Sequence, residues 1–133
     1  MSASPLAAWH QLVATHNAAG IEALLHDDAV FLSPVVHSPQ VGKAITFKYL
    51  AAAFGVFFNP TFRYVREIEG PRDAMLEFET VIDGITVNGV DIIRWNDAGL
   101  ITEFKVMLRP LKAVNLIHQR MGAMLQAAQQ QQQ

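Results

Sequence analysis

The feature that most constrains the fold is a change of period. Up to Gly55 the apolar residues recur at steps of three and four, and after it they alternate every second residue. Leu6, Trp9, Leu12, Val13 and His16 make one helical stripe, opened by Ser4 and Pro5 and closed by Asn17 to Gly20. Ile21, Leu24 and Leu25 predict a shorter helix. His26-Asp27-Asp28 reads as a polar turn before the strand Ala29 to Ser33. Pro34 and Pro39 bracket a loop carrying His37, and Gly42 opens a helix through Ile45, Tyr49, Leu50 and Phe54. Beyond Gly55 the chain reads as four strands in meander order: Phe62 to Ile68, Ala74 to Asp83, Thr86 to Trp95 and Leu100 to Leu108. The turns between them fall at Gly70–Asp73, Gly84 and Asn96–Gly99. Pro110 ends the last strand, and Leu111, Val114, Ile117, His118, Met121 and Leu125 lay out a final helix. Helices first and a meander after them define an α+β class.

The number of domains follows from size and apolar content. A chain of 133 residues, 51% hydrophobic and 17% charged, fills one core and has no linker. One domain over residues 1–128 is expected, with the glutamine run 129–133 as a disordered tail. The net charge of -2, without a block of Lys or Arg, excludes a nucleic-acid partner, since a phosphate backbone demands a basic cluster. No apolar run reaches the ~20 residues of a membrane span, and Met1 to Pro5 lacks the pattern of a signal peptide. With no cysteine, disulfides, thiolate nucleophiles and Cys-ligated zinc drop out, and a cytoplasmic protein is expected. No Gly-rich phosphate loop, HxH, HExxH or paired carboxylates at helical spacing occur, so neither a cofactor nor a metal is expected. His26-Asp27-Asp28 is read as a solvated turn.

Three segments carry a resemblance to a known family. Asp28-Ala29-Val30-Phe31 before a Pro-containing loop, Gly42-Lys43 opening a helix, and Val90 to Trp95 followed by Asp97-Ala98-Gly99-Leu100-Ile101 resemble the nuclear transport factor 2-like superfamily. Its ketosteroid isomerase and SnoaL-like polyketide cyclase branches are the most similar. The resemblance spans roughly Leu6 to Leu108. It implies a cone-shaped, curved antiparallel sheet with three helices enclosing a pocket, and the C-terminal helix read from Leu111 onward lies beyond it. The superfamily hosts isomerases, hydrolases, cyclases, dehydratases and binding proteins, so the fold does not name a chemistry.

With Asp91 inward, as the resemblance implies, alternation brings Gly89, Ile93 and Trp95 inward too. Leu76, Phe78, Thr80 and Ile82 share the inner face of the preceding strand, and Phe104, Val106 and Leu108 that of the last. The expected ligand-binding wall is therefore Trp9, His16, Phe31, Ser33, Phe54, Tyr64, Phe78, Thr80, Ile93, Trp95, Phe104 and Val106.

Asp91 is one candidate catalytic residue. In ketosteroid isomerases the matching acid stays neutral and donates a hydrogen bond to an oxyanion, a behaviour that serves as a worked example of a carboxyl held neutral by its surroundings. The other role open to Asp91 is to accept a hydrogen bond from a neighbour such as Tyr64 and brace the wall. The isomerase base, an Asp directly before a Pro, is replaced here by Ser33 before Pro34, and Leu12 falls near the place of its helix tyrosine. A serine cannot abstract an α-proton without a base of its own. His37, at the expected pocket mouth, is the second candidate catalytic residue, and His16 on the first helix is another titratable group. Each also suits a loop brace or a cap. The outer face mixes Val81, Val90, Ile92 and Met107 with Glu77, Glu79, Arg94, Lys105 and Arg109, which suits a homodimer built on the sheet or a covering by the C-terminal helix. These features predict a hydrophobic small-molecule ligand, bound or converted by isomerase, cyclase or dehydratase-like chemistry. The alternative is a non-catalytic ligand-binding or dimeric accessory module.

Overall fold

Alternation after Gly55 becomes four strands in the computed structural model: β3 (Arg63–Glu69), β4 (Asp73–Ile82), β5 (Ile85–Trp95) and β6 (Ile101–Arg109). Residues 4–131 are described, with side chains through 127. Ahead of the meander come α1 (Leu6–Thr15), a 3-10 helix (Ala18–Leu24), β1 (Leu25–Leu32), β2 (Gln40–Val41) and α2 (Lys43–Phe57). α3 (Leu111–Gln131) follows it. The six strands form one curved, unclosed sheet in the order β2-β1-β6-β5-β4-β3. Among the described residues no helix is long and apolar enough to cross a membrane.

Burial follows parity. Ala74, Leu76, Phe78, Thr80 and Ile82 on β4 are buried, as are Val87, Gly89, Asp91, Ile93 and Trp95 on β5. All three helices pack on this face. α1 and α2 bring Trp9, Leu50 and Phe54 against Phe104 and Ile93, and α3 brings Ala113 and Ile117 against Phe78 and Val87. Each large apolar side chain removed from water contributes about 1.5–3 kcal/mol.

Four expectations are corrected. The sheet is not wholly antiparallel, because β1 runs parallel to β6, pairing Leu25 with Ile101 and Phe31 with Phe104. The short second helix is 3-10 and ends at Leu24, so Leu25 belongs to β1. His26, Asp27 and Asp28 lie in that strand and form no turn. β2 pairs only with Val30 and Phe31, so this stretch of β1 keeps an open edge where polar side chains meet solvent. Finally, α3 continues through Gln131, beyond the expected start of the tail at residue 129; Gln132 and Gln133 lie outside the described residues.

Two glycines set local geometry. Gly42 precedes α2 with φ of 117°, a conformation glycine adopts without strain, and its N–H bonds the Ala29 carbonyl at 2.8 Å. Thr46 Oγ1 donates to the same carbonyl at 3.1 Å, which fixes α2 over β1. Gly55 lies inside α2, where a Cβ would collide with the Met124 methyl, so α2 and α3 approach closely there.

Candidate functional site

Asp91 sits in the middle of β5, paired with Leu76 on β4 and Val106 on β6, and is 7% exposed. Its carboxyl lines a hollow walled by Trp9, Phe54, Phe57, Phe78 and Phe104. The hollow measures about 30 Å³, roughly the share of liquid volume held by one water.

Three side chains from three elements meet here. Trp9 Nε1 on α1 donates to Tyr64 Oη on β3 at 2.9 Å, and Tyr64 Oη donates to Asp91 Oδ2 at 3.3 Å. Burial among rings raises Asp91 from its ordinary 3.8 to about 7, since an apolar wall disfavours the charged form; the Tyr64 hydrogen bond pulls weakly the other way. Tyr64 is raised above its ordinary value, first by burial and then by the neighbouring Asp91 charge. Among the described residues no ion pair involves Asp91, and Arg94 is exposed on the opposite parity. Near neutral pH a large share of Asp91 is therefore protonated. With Oδ2 accepting from Tyr64, Oδ1 is the position left for the proton.

The structure gathers only part of the expected wall. Trp9, Phe54, Phe78, Phe104 and Val106 line the Asp91 hollow, and Tyr64 reaches it through the carboxyl. Phe31 and Ser33 line a separate cavity described below. Thr80 is buried but acts elsewhere, donating to the Phe57 carbonyl at 3.2 Å and so tying down the end of α2. Ile93 packs in the core, fully buried. Trp95 is buried near the far end of β5, and its indole N–H finds no acceptor among the described residues.

His16 does not face inward. It ends α1 in the left-handed conformation (φ 54°), which swings its ring into solvent beside Phe58. His37 is exposed in the loop after β1. It lines a different hollow with Ser33, Lys105 and Met107, and is not brought into the hollow of Asp91. Ser33 Oγ accepts the N–H groups of Val35 and Val36, at 3.1 and 3.3 Å, and shapes that loop. Among the described residues no group of three or more His, Cys, Asp or Glu could hold a metal ion.

Leu50, Ala53, Phe57, Phe58 and Phe62 also line the hollow, outside the expected wall. The signal was the phenylalanine spacing of 54, 57, 58 and 62, which places aromatic rings at the end of α2 and just beyond it.

The chain is similar to a steroid delta-isomerase from Pseudomonas aeruginosa, with 35% identity, 92% of this chain and 90% of that one covered, and a TM-score of 0.88. An uncharacterized bacterial protein with a cystatin-like fold from Silicibacter pomeroyi DSS-3 shares 33% identity over 85% of this chain and 79% of that one, with a TM-score of 0.77. An epoxide hydrolase/cyclase-like enzyme of salinomycin pyran ring formation shares the fold at 17% identity, with 78% and 87% covered and a TM-score of 0.62. No curated protein matches the sequence. The family model for the SnoaL-like domain matches residues 6–104, most of the chain, and the fold is that of the nuclear transport factor 2-like superfamily: the chain belongs to the SnoaL-like domain family.

Proposed function

We propose that this protein binds a small apolar compound through a carbonyl oxygen, with neutral Asp91 as hydrogen-bond donor. The observation that carries this reading is a buried carboxyl, raised to about 7, at the wall of an aromatic hollow and without a cation. A neutral acid there donates to a carbonyl and donates more strongly to an enolate or oxyanion, which is how a binding site becomes a catalytic one. The Trp9–Tyr64 hydrogen bond holds the donor in place. A hollow of about 30 Å³ admits no ligand as it stands, so binding requires Phe54 or Phe57 to move aside.

The relative named as a steroid delta-isomerase supports isomerase-like chemistry, and the cyclase-like enzyme shares the fold; cyclase or dehydratase-like conversion of a hydrophobic carbonyl compound is the wider reading of the same donor. Ser33 supplies no base, so Asp91 contributes oxyanion stabilisation alone, and in any such reaction water has to accept the proton. Acetophenone is a suitable probe. Asp91→Ala should weaken its binding by about 1–3 kcal/mol, measured by NMR titration, while Asp91→Asn keeps a donor and most of the affinity. Equal affinity in wild type and Asp91→Ala would remove the proposal.

A second reading is favoured by the outer face of the sheet. Ile68, Met75, Val81 and Met107 are exposed there, beside Arg66, Glu77 and Arg109. We propose that two copies of the chain pair through this face.

A further inference from the structure

A second cavity lies between the sheet, α2 and α3. Its volume is about 160 Å³, against about 30 Å³ for the hollow at Asp91. Phe31 and Tyr49 form its floor, and Ile117, Met121 and Leu125 of α3 form its roof. Val36 and His118, both exposed, stand at its rim, so it is within reach of solvent. Native cores rarely keep voids larger than a water, and an apolar void of about 150 Å³ stays dry and takes up benzene. Ala53, Phe57 and Val106 line both spaces and so form the partition between them. The roof belongs to α3, beyond the residues 6–104 matched by the family model.

We infer that the cavity under α3 is a binding compartment for an apolar group of about benzene size, and that α3 sets which group fits. A ligand whose carbonyl meets Asp91 extends past Phe57 into this compartment. That orientation rests on the reading of Asp91 above, whereas the compartment itself does not. Ser33 Oγ stands at the same rim; it accepts from Val35 and Val36 and keeps its own proton to give.

The test uses benzene, which has no carbonyl and so bypasses Asp91. Titrated into the whole protein, benzene should saturably shift the methyl NMR signals of Ile117, Met121 and Leu125, and leave those of Met75 and Met107 on the outer face in place. Ala53→Leu, which thickens the shared wall, should weaken the effect about tenfold. Asp91→Ala should leave benzene binding intact while weakening acetophenone, which separates failure of the compartment from failure of the carbonyl site. Absence of saturable shifts at the three roof residues would overturn the inference, as would shifts spread equally over Met75 and Met107. Benzene binding undiminished in Ala53→Leu would overturn it too.

Discussion

Asp91 couples the site to the stability of the fold. Its carboxyl titrates near 3.8 when unfolded and near 7 when folded. Between those values the folded chain keeps a proton that the unfolded chain has released. Stability therefore falls as pH rises from about 4 to about 7 and levels off above, by about 4 kcal/mol at most. Urea denaturation of wild type and Asp91→Asn at pH 5 and pH 8 should show the loss in wild type and a flatter response in the variant. Ser33 bears on activity. Its oxygen is engaged by Val35 and Val36 in a loop turn, and a serine hydroxyl there offers no carboxylate to act as a base. Loss of a general base costs about 10²–10⁴-fold, so ordinary Δ5-3-ketosteroids should show no meaningful isomerisation when conjugated enone absorbance is followed. Efficient turnover would show that another group takes the proton. Asp91 was legible because a lone acid stood on the apolar parity of a strand. The Trp9–Tyr64 link was not, since its partners lie far apart in sequence and meet only once α1 crosses β3.

The elements were legible wherever one period ran uninterrupted. β4 and β5 alternate cleanly because one face meets helices and the other does not. β1 was cut short in the reading because His26-Asp27-Asp28 resembles a turn by composition, and only the missing neighbour along that edge explains why it is strand. The parallel pairing of β1 with β6 is a long-range choice that no local pattern encodes. Two glycines test how elements pack. A Cβ at Gly89 would meet Phe78 Cζ and Leu108 Cδ2 at 2.6 Å and the Met107 carbonyl at 2.9 Å. Gly89→Ala should therefore destabilise by about 1–3 kcal/mol. At Gly122, inside α3, a Cβ meets nothing within 4 Å, and Gly122→Ala should stabilise by about 1 kcal/mol. Thermal unfolding of both variants reads these opposite signs.

At the scale of the whole molecule, the proposed pairing of two copies concerns the outer sheet face. Met107, 54% exposed, and Met75, 42% exposed, flank the half-buried Val90 in a groove of about 340 Å³. Sedimentation at micromolar concentration should show a dimer, and Met107→Glu should shift it to monomer; a wild-type monomer would refute the pairing. The inner face and the acid were readable in the sequence, but the two cavities were not, because their volumes depend on how α2 settles against the sheet and, for the second, against α3. The parallel β1–β6 pair bears on the order of events in synthesis. β3 to β6 close onto neighbours in sequence and can pair as each emerges from the ribosome. β1, made early, has only the two-residue β2 beside it until β6 exists. Such distant closure is slow, and it leaves β1, with α2 lying over it, without its long neighbour until nearly the whole chain has been translated.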